Sequence, residues 1–185
     1  MKQTFSLLFS LLITGLLLGG EVQTFTDLKN DFVYKDYKLK HLDIVKFDFT
    51  QKSSNKYELV FDFAADVEKA LKDKGTYFDI DFYIDIDQKK GTGYKFGSIG
   101  ADIRFKINRD DKNGLKGRSY TKSRVGEDVR LKIKKVKVKD NLVTVDFSSM
   151  EINDYSKINF ILDIDGKSGT VDRLPNKGHE TLQLL

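Results

Sequence analysis

Two aspartates close an apolar run in the middle of the chain. The segment Ile84-Asp85-Ile86-Asp87 leads into a loop that contains Gly91 and Gly93. Alternate residues of a β-strand lie on one face, so the carboxylates of Asp85 and Asp87 can converge on one hard cation. Ca²⁺ prefers such oxygen ligands, completed by loop carbonyls and water. The spacing differs from that of an EF-hand, which needs a further acid at a fixed later position. The alternative is that both aspartates accept hydrogen bonds from loop amides and start a turn.

A similar string recurs near the C-terminus. Leu162-Asp163-Ile164-Asp165 precedes Gly166-Lys167-Ser168-Gly169-Thr170 in the same order of residue types. The same two interpretations apply to Asp163 and Asp165. For this second pair the turn-forming role is favoured over a metal site.

Aromatic and acidic residues alternate just before the first aspartate pair. Tyr77 and Tyr83 flank Asp79 and Asp81 on the polar face of one predicted strand. Tyrosine rings pack on the apolar faces of sugars, and carboxylates accept hydrogen bonds from sugar hydroxyls. These four residues are therefore candidate glycan ligands. The alternative is that basic residues of a neighbouring strand, for example Arg104 or Lys106, neutralise the two acids by cross-strand pairing.

A run of basic residues occupies one later predicted strand, and it comprises Arg130, Lys132, Lys134, Lys135, Lys137 and Lys139. Such a strip suits an anionic glycan or a membrane surface. Alternating lysines also protect an edge strand from pairing with other chains, and this second interpretation is favoured.

The amino-acid composition excludes several further classes of functional site. Cysteine is absent, so thiolate metal sites and cysteine nucleophiles are excluded. The two histidines, His41 and His179, are far apart and have no metal-ligand spacing. With 32 basic and 28 acidic residues the charge is nearly balanced, which argues against nucleic acid as the main partner. We therefore expect no enzymatic activity.

The N-terminus has the pattern of a secretory signal. Lys2 precedes a run from residue 5 to 18 that is mostly apolar, and charge returns only at Glu21. About 14 residues are too few for a helix that crosses a bilayer, which needs roughly 20. We expect a signal peptide over residues 1–20, one domain over 21–185, a secreted or periplasmic location, and membrane contact only through the signal segment.

Period-two alternation dominates the mature chain and predicts β-strands. The clearest run has Phe78, Ile80, Phe82, Ile84 and Ile86 on one face. Strands are predicted at 44–50, 57–63, 76–87, 99–107, 129–139, 142–147 and 157–164. A slip in the apolar phase indicates a β-bulge at Lys134-Lys135, and residues 65–73 carry one short helical pattern. Since no βαβ rhythm appears, we expect an all-β, antiparallel β-sandwich of jelly-roll-like form.

Three motifs together resemble a known family. Tyr83-Ile-Asp-Ile-Asp87, Gly91-Thr-Gly-Tyr94 and Ile99-Gly-Ala-Asp102 follow one another in this chain. This order resembles that of DOMON-like and related carbohydrate-binding-module sandwiches. The resemblance implies an extracytoplasmic module for sugars or, in some branches, haem, often with structural calcium. Carried over by residue, it implies Asp85, Asp87 and Asp102 as calcium ligands, and Asp172 to Pro175 as a closing loop.

The sequence thus predicts an exported, non-catalytic binding module for a glycan or other cell-surface component, with structural calcium. The alternative is a structural or assembly subunit of the cell surface, associating through the lysine strip or an exposed strand edge. A haem carrier is a third hypothesis, for which only Met150, His41 and His179 could supply axial ligands after signal removal.

Overall fold

The computed structural model describes residues 21–27, 39–110, 114–149, 152–175 and 177–184. The predicted signal peptide, residues 1–20, and Met150 lie outside these ranges. The strands are β1 Val22–Thr26, β2 Ile44–Ser53, β3 Lys56–Phe63, β4 Asp79–Asp85, β5 Tyr94–Phe96, β6 Ile99–Ala101, β7 Ile103–Asp110, β8 Gly114–Thr121, β9 Lys132–Lys139, β10 Leu142–Ser148, β11 Lys157–Gly166, β12 Gly169–Leu174 and β13 Glu180–Gln183. Two short helices, α1 Val67–Leu71 and α2 Arg124–Asp128, and the 3-10 turns Lys40–Leu42 and Ile152–Asp154 complete the described elements.

The described strands other than β5 and β6, which pair with each other, form two antiparallel sheets that pack face to face, which confirms the predicted all-β sandwich. The first sheet has the order β1-β2-β3-β10-β9, and the second has β12-β11-β4-β7-β8, with β13 also paired to β11. Hairpins β2–β3, β7–β8, β9–β10 and β11–β12 build each sheet from neighbours in sequence. The chain changes sheet after β3, β8 and β10.

The core lies between the sheets and is rich in phenylalanine. Phe47 of the first sheet meets Phe82 and Phe160 of the second, with ring centroids 5.4 Å away in each case. Every apolar residue predicted to face inward from the β4 segment is buried. The alternation of residue types along each strand therefore determined which face the core would occupy.

A β-bulge occurs where the apolar phase slips. Asp146 of β10 pairs with Lys135, and the next residue, Phe147, pairs with Ile133, so Lys134 is the extra residue of β9. This confirms the predicted bulge. The insertion lets Ile133 and Val136 both pack against the core although they are three positions apart.

The predicted strand over 99–107 is two strands rather than one, because Asp102 interrupts it. Its amide donates to the carbonyl of Ile84 at 2.8 Å, and its side chain is buried. Residues beyond Asp102 enter the main core, but Ile99 and Ala101 pack with Ile161 in a second, smaller cluster. The β5–β6 ribbon thus covers part of the outer face of the second sheet.

Several strands were not predicted, and all are short or glycine-rich. They are β1, β5, β8, β12 and β13. The expected closing loop at Asp172 is instead part of β12, where the buried Asp172 carboxylate accepts a hydrogen bond from the Ile44 amide at 2.8 Å. No helix among the described residues is long and apolar enough to cross a membrane.

Candidate functional site

Two neighbouring aspartates and a third that is 15 residues further along the chain meet at one end of β4. Asp85 ends the strand, Asp87 begins the following loop, and Asp102 joins β6 to β7. One carboxylate oxygen from each lies within 4.8 Å of the other two. The structure therefore brings together the three residues that were expected to bind calcium.

Asp102 also holds the surrounding backbone in place. Its Oδ2 accepts hydrogen bonds from the amides of Ile86 at 2.8 Å and Asp87 at 3.3 Å. Its Oδ1 accepts one from the hydroxyl of Ser123, which in turn caps the N-terminus of α2 through the Gly126 amide at 3.1 Å. Sequence reasoning missed Ser123, although a serine directly before a short helical pattern is a recognisable capping signal.

Asp87 organises the loop that follows β4. Its Oδ1 accepts hydrogen bonds from the Lys89 amide at 2.9 Å and the Thr92 hydroxyl at 3.0 Å. Asp87 therefore performs the turn-forming role that was the alternative to metal binding, and Asp102 accepts backbone amides in a similar way. Asp87 Oδ1 and Asp102 Oδ2 each already accept two hydrogen bonds, so a metal ion would have to bind the other oxygen of each carboxylate.

Among the three aspartates, Asp85 is the one whose carboxylate has an unused hydrogen-bond acceptor in the described part of the chain. The residue is only 2% exposed, and the nearby backbone amides of Gly100 and Gln88 partly oppose the rise in its pKa. Its Oδ1 is buried without a hydrogen-bond partner in the described part of the chain. Burial raises the pKa of Asp85, and repulsion from Asp102 and Asp87 raises it further.

The loop is pressed tightly against β6. Gly93 has a φ of +62°, and a Cβ added there would lie 2.0 Å from the carbonyl oxygen of Ala101. A Cβ at Gly100 would lie 2.4 Å from the carbonyl oxygens of both Lys89 and Thr92. Only glycine fits at either position, so the carboxylates sit in a backbone frame with little freedom.

The donor set fits a hard cation. All the candidate ligands are carboxylate oxygens, and one of them is buried and unsatisfied beside two other negative charges. A divalent cation would neutralise this repulsion and give Asp85 Oδ1 a partner. Loop carbonyls and water would complete the six to eight oxygen ligands that Ca²⁺ takes.

The polar face of β4 is neutralised by its neighbours, as the cross-strand alternative anticipated. Arg104 donates to both carboxylate oxygens of Asp81, at 2.8 Å and 2.6 Å. Lys106 Nζ lies 2.7 Å from Asp79 Oδ2. Both aspartates are buried, so their charges are committed to pairs within the protein.

The second aspartate pair, Asp163 and Asp165 on β11, lies on the same face of the second sheet as Asp79 and Asp81. Asp163 lies opposite Asp81 in the pairing register, and Asp165 lies opposite Asp79. Arg173 of β12 donates to both oxygens of Asp163, at 2.6 Å and 2.9 Å. Sequence reasoning missed Arg173, because only the register of β11 with β12 places it beside Asp163.

Asp165 lies in this cluster without a basic partner of its own. Burial raises the pKa of Asp165 to about 6, the Thr170 hydroxyl opposes that shift, and repulsion from Asp81 adds to it. Its Oδ1 is buried without a hydrogen-bond partner among the residues described.

The two tyrosines predicted to bind sugar have different surroundings. Tyr83 stacks on Phe96 of the β5–β6 ribbon, with centroids 3.7 Å apart, and burial raises its pKa to about 12. Tyr77 is 45% exposed, and its hydroxyl donates to Asp79 Oδ2 at 2.7 Å. Of the four predicted ligand residues, Tyr77 therefore presents the most accessible surface.

Tyr77 also lines a cavity of about 610 Å³ at one end of the sandwich. Leu39, Leu42 and Val171 form apolar parts of the wall. The polar part of the lining includes His41, Asp73, Thr76, Lys167 and Ser168. Sequence reasoning missed this cavity, because its walls come from three separate connections.

The candidate haem ligands lie on separate elements. His41 is in the first 3-10 turn, its Nε2 is buried without a hydrogen-bond partner in the described residues, and burial lowers its pKa. His179 precedes β13, and its Nδ1 is 2.9 Å from the Ser98 hydroxyl.

Comparison with models of protein families, with curated proteins and with solved structures finds no match for this chain.

Proposed function

We propose that this chain is an exported, non-catalytic binding module that recognises a glycan in the cavity beside Tyr77. The observation that carries the proposal is the composition of that cavity. An exposed tyrosine ring stands among hydroxyl, carboxylate and ammonium groups, with apolar residues behind them. Sugars offer the same combination of apolar ring faces and hydrogen-bonding hydroxyls.

Calcium at Asp85, Asp87 and Asp102 is the second part of the proposal, and its role is structural. The unsatisfied oxygen of Asp85 supports it, because an ionised carboxylate is costly to bury without a partner. A cation there would fasten the end of β4 to the β6–β7 junction. The DOMON-like resemblance and the signal-like N-terminus remain hypotheses that agree with this function.

The glycan proposal is tested with neutral oligosaccharides on an array, followed by titration of the ligand that binds. We expect Tyr77→Ala to weaken binding by roughly tenfold or more, since it removes the ring that the sugar would contact. Tyr120→Ala is the matched control, because Tyr120 is also exposed but lies on β8, outside the cavity lining. Equal binding by wild type and Tyr77→Ala would exclude the cavity as the glycan-binding site.

An alternative proposal, a subunit of a surface assembly, is favoured by one observation. Strand β1 ends the first sheet, and Val22 on it is 54% exposed. An unpaired strand edge can add a strand from another molecule. Concentration-dependent self-association in the absence of any glycan, measured by sedimentation, would support this alternative over the binding module.

A further inference from the structure

The positive charge of the chain is concentrated in one segment. Residues 114–139 contain ten basic residues and only two acidic ones, Glu127 and Asp128. This segment therefore has a net charge of +8, whereas the whole chain has +4 and the remaining residues together have −4. The nearly balanced composition of the chain conceals this separation.

All ten basic side chains are exposed, and we refer to them together as the basic edge. They are Lys116 and Arg118 on β8; Lys122, Arg124 and Arg130 on or beside α2; and Lys132, Lys134, Lys135, Lys137 and Lys139 on β9. Seven of the ten are lysines.

The fold brings these residues to one corner of the sandwich. Strand β8 ends the second sheet and β9 ends the first. The two strands meet closely, since the Ser119 hydroxyl donates to the Leu131 carbonyl at 2.9 Å. A Cβ on Gly117 would lie only 2.8 Å from the Ile133 side chain. Apolar residues thus face inward at this corner, and the basic residues lie on its outer surface on both sides.

The basic edge has little compensation from acidic side chains. In the described ranges, no salt bridge involves any of its ten residues, whereas Lys46, Lys106 and Arg173 elsewhere on the molecule are each paired with an aspartate. Lys122 instead lies over the ring of Tyr94, with Nζ 5.6 Å from the centroid. Uncompensated charge of one sign attracts and concentrates polyanions.

Protection of strand edges explains only part of this arrangement. Lysines on β8 and β9 keep those edges from pairing with other chains. Lys122, Arg124 and Arg130 lie on the connection through α2, where there is no strand edge to protect. Their presence extends the positive surface past the ends of both strands.

We propose that the basic edge binds an acidic polysaccharide, a glycan chain that carries carboxylate or sulfate groups. This site is separate from the Tyr77 cavity, and its assignment to a glycan rests on the proposed exported function. Alternate side chains on a strand recur every 6.6–6.8 Å or so, which gives a row of point charges along a flexible anionic chain. Among the exposed large apolar residues described, only Tyr120 and Leu142 lie on β8–β10, fewer than insertion into a lipid surface needs.

The test measures binding of the full mature chain to polygalacturonate and to dextran sulfate, with uncharged dextran as the reference, at several salt concentrations. The variant replaces Lys132, Lys134, Lys135 and Lys137 with glutamine. The matched control replaces four exposed lysines on other elements, Lys40, Lys74, Lys90 and Lys157, so both variants lose the same charge.

We expect the wild type and the control to bind at least one acidic polysaccharide and not dextran. The β9 variant should bind roughly tenfold or more weakly, and the slope of log K against log salt should fall by about one for each ion pair that the substitutions remove. Equal binding by both variants would overturn the assignment to the basic edge. Binding to duplex DNA or to phosphatidylserine vesicles that is tighter than to either polysaccharide would overturn the class of ligand.

The two experiments distinguish a failure of the basic-edge site from a failure of the cavity site. If neutral glycan binding depends on Tyr77 but acidic polysaccharides do not bind, the basic edge is not a glycan site and the cavity proposal stands. If acidic polysaccharides bind through β9 and Tyr77→Ala has no effect on neutral glycans, the cavity proposal fails and the basic edge remains.

Discussion

The two aspartate pairs have the same sequence pattern, but the residues around them give them different properties. Both strings place two aspartates on one face of a strand. In β11, Asp163 is paired with Arg173, whereas Asp165 forms no salt bridge among the described residues and is repelled by Asp81 and Asp163. At the end of β4, one carboxylate oxygen each of Asp85, Asp87 and Asp102 lie within 4.8 Å of one another, and none of the three forms a salt bridge among the described residues. The metal hypothesis therefore applies to the first string and is not supported for the second.

Asp165 is expected to make stability depend on pH. Its folded-state pKa is about 6, above the ordinary value of 3.8, so the folded state holds this proton more tightly than the unfolded state does. The resulting stabilisation is present below about pH 4 and is lost as the pH rises towards 6. Asp165→Asn should remove that loss and raise the free energy of unfolding at pH 7.5 by on the order of 1 kcal/mol.

Melting followed by circular dichroism at pH 4 and pH 7.5 checks this expectation. The variant should differ little from wild type at pH 4 and should be more stable at pH 7.5. Asp163→Asn is the control, and it should lower stability at pH 7.5 because Arg173 loses its buried partner. A lower melting temperature for Asp165→Asn at pH 7.5 would contradict the assigned pKa.

At the level of elements, the loop between β4 and β5 determines the geometry of the candidate metal site. Asp87 and Thr92 bond across it, and Gly93 lets it lie directly against β6. The loop contains a second glycine, Gly91, around which a Cβ would meet no atom within 4 Å. Gly91 therefore has room for a Cβ and no positive φ, whereas Gly93 has a positive φ and no room.

Gly93→Ala is expected to destabilise the protein by about 2 kcal/mol or more. The alanine would have to adopt a positive φ and would collide with the Ala101 carbonyl. Gly91→Ala should be neutral or slightly stabilising, since it reduces the freedom of the unfolded chain without a clash. Denaturant unfolding of the two variants measures the difference, and equal stabilities would show that the loop can move away from β6.

The strand elements were predictable to different degrees. Central strands such as β4 and β10 alternate strictly, because one face of each packs in the core. Even the bulge in β9 was visible as a slip of phase between Ile133 and Val136. Edge strands such as β8 bury fewer apolar residues and contain glycine, so period-two alternation is weak in their sequences.

For the whole molecule, the two ends and one corner of the sandwich have separate chemistry. The Tyr77 cavity involves the connections around the start of β4, and the three aspartates gather at its other end. The basic edge lies where β8 meets β9.

Calcium binding should stabilise the entire domain by mass action. At a free Ca²⁺ concentration one hundred times the dissociation constant, the gain is about 2.7 kcal/mol, which is several degrees in the melting temperature. We expect wild type to melt higher in Ca²⁺ than in chelator. Asp85→Asn should show no such shift, and in chelator it should be at least as stable as wild type, because an unsatisfied buried charge is removed.

Asp48→Asn is the matched control for the calcium experiment. Asp48 is a carboxylate of β2 that pairs with Lys46 and does not belong to the cluster, so the calcium shift should persist. The same melting temperature for wild type in calcium and in chelator would rule out a structural calcium site.

The sequence by itself determined the fold class and the inward face of the central strands. Burial of one face of a strand imposes a local period of two, and this can be read without knowing the partner strands. It also indicated Asp85 and Asp87 as a pair, whereas Asp102 joined them only through the family resemblance. Tertiary structure alone decided that Asp85 keeps an unsatisfied oxygen while Asp81 and Asp163 are neutralised.

The physical reason is that the partners of a carboxylate depend on strand register and on which residues cover its face of the sheet. Arg104 lies opposite Tyr83 and reaches Asp81 diagonally, whereas Arg173 lies directly opposite Asp163, so both contacts depend on the register of neighbouring strands. The candidate metal site was thus visible in the sequence as a set of residue types. The buried Asp85 oxygen that lacks a hydrogen-bond partner among the described residues exists only in the folded chain.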